Sequence, residues 1–300
     1  MSSSPLTSAP TRHWLSFALA TVALFGCWQV LPRLPVLANT EPLVLQVACL
    51  PGLVACVGLV TLWNRVRGKP LYLSAWALIT GAAGALGSLA VLLAFARGGQ
   101  GSVVTPLCSM YPLLTALIAR VWLGERWGRI QVLGLALFVM AVMAFDGEGA
   151  GATSYWASWM GYTVVAFVIF GVSGVTMKLA SSDAVSALGS WSLGFFLVTL
   201  AMAAVFRPGL PANQAAWGGS LVYGALMGAG LFASFQAYAR GRATVVTAVT
   251  ALYPAVTVAL AVALPMIAEP FGVRKGVAVL LSLAAGLALS MEPKGTLKGA

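Results

Sequence analysis

The chain has 300 residues, 60% of them hydrophobic and only 8% charged, against roughly a quarter charged in an ordinary soluble domain. That composition excludes a soluble globular fold. The formal charge of +10 would suggest a nucleic-acid surface in a soluble protein, but here Lys and Arg lie between apolar runs, where they orient membrane helices, so no nucleic-acid partner is expected.

Residues 1–13, rich in Ser, Thr and Pro, read as a disordered tail. Ten apolar segments of near-spanning length follow, at 14–32, 42–63, 71–96, 102–123, 130–146, 157–177, 184–206, 217–239, 244–267 and 272–291. A helix needs about 20 such residues to cross the hydrocarbon core, and the fifth segment is short. The first follows Arg12 and contains Leu24-Phe25-Gly26-Cys27, which approximates a lipoprotein cleavage box. The apolar run continues past Cys27 and bulky Phe25 suits cleavage poorly, so it reads as a retained first helix. Cys27, Cys49, Cys56 and Cys108 all fall in spans without metal-ligand spacing and read as small packing residues. Each of the seven acids, Glu41, Glu125, Asp146, Glu148, Asp183, Glu269 and Glu292, sits at or near the end of an apolar run.

From the third span onward the chain repeats itself. Ala94, Ala96, Arg97, Gly98, Val103-Val104-Thr105, Tyr111-Pro112 and Thr115 return as Ala237, Ala239, Arg240, Gly241, Val245-Val246-Thr247, Tyr253-Pro254 and Thr257, at an offset of 143 residues that drops to 142 across the short loop. Gly81, Ala82, Gly87 and Ala90 likewise match Gly224, Ala225, Gly230 and Ala233, and small residues in lipid mark helices that pack closely. Phe25-Gly26 followed by Arg33 parallels Phe170-Gly171 followed by Lys178. Five spans per copy is an odd number, so the second copy re-enters the membrane from the opposite side. The expected fold is an all-α integral membrane protein of ten transmembrane helices, arranged as two inverted five-helix repeats. They occupy 14–146 and 157–291, with a linker at 147–156 and a tail at 292–300. Counting Lys and Arg with both termini on one side gives 12 against 5, so both termini are expected to be cytoplasmic and the linker outside.

One combination is specific: Tyr111-Pro112-Leu113-Leu114-Thr115-Ala116, then Leu123-Gly124-Glu125-Arg126, then Gln131 and Gly134. The second copy keeps Tyr253-Pro254, Thr257 and Gly276, while Leu-Gly-Glu becomes Ile267-Ala268-Glu269 with two residues inserted. In this the chain resembles the EamA-type carriers of the drug/metabolite transporter superfamily. The resemblance implies an inner (plasma) membrane secondary transporter with a substrate cavity between its halves. It also makes an amino acid or derivative the favoured solute and export the favoured direction. Flipping of a lipid or lipid-linked precursor is the alternative, and would need a lateral opening to lipid.

Helical spacing points to the same region. Thr105, Cys108, Pro112 and Thr115 share one stripe of the fourth span, and Thr247, Thr250, Pro254 and Thr257 repeat it in the ninth. Tyr111 and Tyr253 stand at its edge, and a buried phenol needs a hydrogen-bond partner. Gln29, Gln46 and Gln236 carry amides that hydrocarbon cannot satisfy, so each faces protein or water. Trp28, Ser173 and Trp191 complete the candidate substrate-binding set. The competing reading is structural: Thr, Gln and Trp bond or pack between helices, and Arg97 and Arg240 anchor at the interface. The first, third, fourth, sixth, eighth and ninth spans are expected to surround the site. No span carries a central acid, and the sole histidine is His13, so proton coupling through a buried titrating group is not expected. A neutral, zwitterionic or weakly amphipathic solute fits best. Catalytic groups, a metal site and a cofactor are not expected, and a monomer or homodimer in contact with membrane lipid remains the expected assembly.

Overall fold

The computed structural model describes residues 13–122, 128–145, 158–211, 213–267 and 272–290. The tails, the linker, Glu125 and Glu269 lie outside the described residues. The described chain is helical: α1 (His13–Val30), α2 (Pro35–Ala38), α3 (Pro42–Ala48), α4 (Leu50–Val66), α5 (Ala75–Ala96), α6 (Gly101–Ser109), α7 (Pro112–Trp122), α8 (Arg129–Phe145), α9 (Ser158–Ala180), α10 (Ala184–Phe206), α11 (Gln214–Arg240), α12 (Ala243–Thr250), α13 (Tyr253–Ala263) and α14 (Val273–Ser290). Among the described residues eight helical units are long and apolar enough to cross a membrane, and Gly276–Ala288 forms a shorter apolar helix. Leu59, Trp63, Val121, Phe206 and Leu280 lie exposed on the outside, an apolar surface that suits lipid rather than water.

Capping sets several boundaries. Asp183 Oδ2 accepts from Ser186 N at 2.9 Å and Asn213 Oδ1 from Ala216 N at 2.8 Å, opening α10 and α11. The third span starts later than its apolar run predicts, because Ser74 caps α5 at Ala75. The extended segment before it is tied to α10, with Tyr72 N and Ser74 N donating to Ser186 Oγ and Ser190 Oγ. Gly68 and Gly98 take φ of 70° and 88° beyond the ends of α4 and α5, the left-handed turn that lets following N–H groups reach back, as Gly99 N does to Ala94 O at 2.9 Å.

The fourth and ninth spans, expected as continuous helices, are each broken. α6 gives way to α7 at Met110-Tyr111, and α12 to α13 at Ala251-Leu252. Pro112 and Pro254 explain this, since proline has no N–H to give and its ring collides with the carbonyl four residues back. Pro51 marks a milder interruption between α3 and α4. The sequence repeat is thus matched by a repeated break.

The helices interlock through glycine. On α5 and α10, a Cβ added at Gly81 would strike the Trp191 carbonyl and one at Gly194 the Leu78 carbonyl; on α11 and α4, Gly224 meets the Cys49 carbonyl and Gly52 the Leu221 carbonyl. The two sets occupy equivalent positions in the sequence repeat. Gly87 lies against Phe170, and its counterpart Gly230 against Phe25. α5 therefore packs on α9 and α10, and α11 on α1 and α4. Gly224→Ala is expected to cost about 1–3 kcal/mol through overpacking, seen as a lowered melting temperature in detergent. Gly58→Ala, where an added Cβ meets nothing within 4 Å, is the control and should be neutral or slightly stabilising.

Candidate functional site

The helix breaks and the glycine crossings leave a cavity of about 100 Å³ at the centre of the bundle. Space on that scale holds several waters or a small solute. Its walls come from α1, α5, α9, α10, α11, α12 and α13, with Tyr111 at the α6–α7 break. These are the six spans expected from the sequence plus the seventh, which contributes Trp191.

Six of the eight candidate residues line this cavity: Trp28, Gln29, Tyr111, Ser173, Trp191 and Tyr253. The two tyrosines sit at equivalent breaks and each reaches across to another helix. Tyr111 lies beside Thr250 of α12, and Tyr253 beside Gln29 of α1. Beside them, Thr115 Oγ1 donates to the Gly171 carbonyl at 2.7 Å, and its counterpart Thr257 to the Gly26 carbonyl at 3.2 Å. Those threonines of the predicted stripe serve helix contact. Ser173 Oγ donates to Ile169 O at 2.8 Å.

Gln46 and Gln236 do not join them. Gln46 is buried, and its Nε2 donates to Ala85 O and to Thr199 Oγ1, both at 3.0 Å, tying α3 to α5 and α10. Gln236 turns toward the helix end, where Arg240 Nη1 donates to its carbonyl at 2.8 Å and also to its side-chain oxygen. An amide in an apolar span signals the need for a partner; it does not say whether the partner is protein or solute. Thr250, which the sequence reading placed in the stripe of the ninth span, also lines the cavity, as do Thr80, Ser88, Ser234 and Tyr238, which escaped that reading. Thr80, Gly84 and Ser88 follow steps of four on α5, and Met227, Leu231, Ser234 and Tyr238 steps of four, three and four on α11. That stripe pattern is the sequence feature that marks them.

At one end the bundle is tied shut. Lys178 Nζ, in the last turn of α9, donates to the carbonyls of Tyr238 and Gly241, each at 2.8 Å, a cation placed where a helix C-terminus is negative. Tyr238 and Thr247 hydroxyls lie 2.7 Å apart, and Ser234 Oγ donates to Thr21 Oγ1 at 3.3 Å. At the equivalent place in the first copy, Arg33 and Phe95 line a separate cleft of about 280 Å³. α9 packs against α11, whereas no comparable packing joins α1 to α5 among the described residues.

None of the described residues lining the central cavity is Asp, Glu, Lys, Arg or His, and among the described residues no group of His, Cys, Asp and Glu is arranged to hold a metal ion. The arrangement can enclose an uncharged or internally compensated solute through rings, hydroxyls and one amide.

Residues 157–291 match the model of the EamA-like transporter family. No curated protein matches the chain at a significant level. A solved crystal structure that is 16% identical has a TM-score of 0.70, the match covering 92% of this chain and 96% of that one; at that identity the likeness is one of fold.

Gln46→Leu removes two buried bonds and is expected to lower stability by about 1 kcal/mol, read as a drop in melting temperature in detergent. Gln236→Leu, at the exposed helix end, should leave the melting temperature within error of the parent.

Proposed function

We propose that this chain, whose residues 157–291 match the model of the EamA-like transporter family, is a multi-pass membrane transporter that works as a ten-helix inverted-repeat carrier by alternating access. One observation carries the proposal: the central cavity is lined by matched elements of both copies, with Tyr111 and Tyr253 at equivalent helix breaks. Broken helices around a central site are the usual ground plan of secondary transporters. The paired glycine crossings and the paired Thr115 and Thr257 bonds support the duplication. The inverted arrangement itself rests on the odd number of spans per copy.

The favoured cargo is an amino acid or derivative and the favoured direction export from the cytoplasm, with both termini cytoplasmic by the charge count. Because the described residues of the cavity wall include no Asp, Glu, Lys, Arg or His, the carrier is proposed to work by facilitated diffusion or exchange rather than by proton coupling. The lipid-flipping alternative needs a side door. A groove lined by Val54, Val57, Leu62, Ser192 and Phe196 does face outward between α4 and α10, but it shares no residue with the central cavity.

Purified protein in proteoliposomes is expected to exchange a radiolabelled amino acid with or without an imposed pH gradient; strict dependence on the gradient overturns the uncoupled mechanism. Failure to move any amino acid, with movement of a fluorescent lipid instead, favours the alternative. The Lys178 tie is expected to favour the conformer closed at its end. In a background lacking native cysteines, Lys178→Met should raise labelling of Ser234→Cys by a water-soluble thiol reagent about tenfold, as removal of charge-assisted hydrogen bonds shifts the population.

A further inference from the structure

The outward groove between α4 and α10 is built along a single stripe. Val54, Val57, Gly58, Thr61, Leu62 and Arg65 line it, and their spacing is that of one face of a helix. Leu193 and Phe196 of α10 form the facing wall, and the space between the helices is about 500 Å³. Gly58 makes the hollow, since an added Cβ there would meet nothing within 4 Å, whereas Gly52, nearer the start of α4, is pressed against the Leu221 carbonyl. One glycine of α4 closes a contact and the other opens a gap.

The groove has the length and polarity of one lipid leaflet. From Val54 to Arg65 the helix rises roughly 16 Å at about 1.5 Å per residue, close to half of a hydrocarbon core about 30 Å thick. Its wall carries hydroxyls but no charge until the last turn of α4, where Arg65 stands exposed. None of the described groove residues is Asp or Glu, so the groove itself offers Arg65 no counter-charge. The neighbouring Arg67 lies over the ring of exposed Trp63, 4.6 Å from its centroid, an arrangement that marks headgroup depth. The charge count that sets the termini puts Arg65, Arg67 and Lys69 at the cytoplasmic face. Anionic lipids collect in that leaflet, and basic pockets between helices hold their headgroups. A plain helix face meets lipid of any kind, but a hollow that ends at a cation selects among lipids.

We infer that this groove binds one anionic glycerophospholipid of the cytoplasmic leaflet, with its phosphate against Arg65 and an acyl chain in the hollow at Gly58. The lipid is resident rather than cargo, because the groove shares no residue with the central cavity. The site holds whether or not the chain carries a solute.

The test titrates the full-length protein, stripped of lipid in detergent, with phosphatidylglycerol and with phosphatidylcholine of the same acyl chains. Native mass spectrometry counts the lipid retained, and the melting temperature reports ligation of the folded state. Phosphatidylglycerol is expected to bind about fivefold tighter, the effect of one basic side chain on an anionic lipid. Arg65→Gln should abolish that preference, and Lys69→Gln, which removes the same charge outside the groove, should keep it. Gly58→Leu fills the hollow and should weaken both lipids about tenfold, the equivalent of roughly two buried methylenes. Glycerol 3-phosphate, a headgroup without chains, should leave the melting temperature unchanged. If Gly58→Leu does not fold, Leu193→Trp narrows the groove from its other wall and should act alike. Equal affinity for the two lipids, equal losses in Arg65→Gln and Lys69→Gln, or unchanged binding in a folded Arg65→Gln or groove-filling variant overturns the inference. Movement of fluorescent phosphatidylglycerol between leaflets of proteoliposomes overturns the resident role and makes that lipid the cargo. Amino-acid exchange without any lipid preference overturns this inference and keeps the transporter, whereas selective lipid binding with no flux of any solute keeps the site and overturns the transporter.

Discussion

Four glycines held against four carbonyls are the constraint on which the rest of the molecule depends. Lipid gives one apolar helix no hydrophobic reason to prefer another, so attraction must come from close backbone approach and interhelical bonds. Gly81 and Gly194 bring α5 onto α10, and Gly224 and Gly52 bring α11 onto α4. Each of these long third-span helices then offers a face to the first helix of the other copy, through Gly87 against Phe170 and Gly230 against Phe25. The central cavity is the space these crossings enclose. Its width is set by backbone contacts that have no side-chain freedom to absorb a change.

The two copies are equal in framework and unequal in detail. Tyr238 and Thr247 share a hydrogen bond, whereas their counterparts Phe95 and Thr105 cannot. Phe95 has no hydroxyl, and Thr105 Oγ1 is buried without a partner among the described residues. Lys178 reaches the carbonyls at the end of α11, while the corresponding Arg33 lines an open cleft beside α5. Identical halves would leave the two ends equally strong. Unequal ones give the bundle a preferred closed end.

Much of this was legible in the residues. The spans, the paired glycines and the Tyr-Pro pairs announce the framework because lipid imposes length, close packing requires small side chains and proline interrupts helices. The broken fourth and ninth spans were readable from Pro112 and Pro254 by the same rule, yet hydropathy runs straight across both breaks and hides them. Trp28, Gln29, Tyr111, Ser173, Trp191 and Tyr253 converge on one cavity, while Gln46 and Gln236 find protein partners instead. Composition identifies an amide that must be satisfied. Only the rotation of its helix and the identity of its neighbour decide by whom, and both are set by tertiary contact. Tyr238 and Ser234 were hidden for the same reason: they lie on a face that becomes a cavity wall only when α11 is placed beside α1.

The uncharged wall has a thermodynamic corollary. Moving one elementary charge through a potential of 100 mV involves about 2.3 kcal/mol. A central site whose described lining holds no Asp, Glu, Lys, Arg or His contributes no charge of its own to such a movement there. When the cargo is also electrically balanced, the membrane voltage does no work on the loaded site. Under the proposed uncoupled mechanism, net flow would follow the ratio of cargo concentrations on the two sides, and a cell would reverse it by changing its metabolism rather than its energisation.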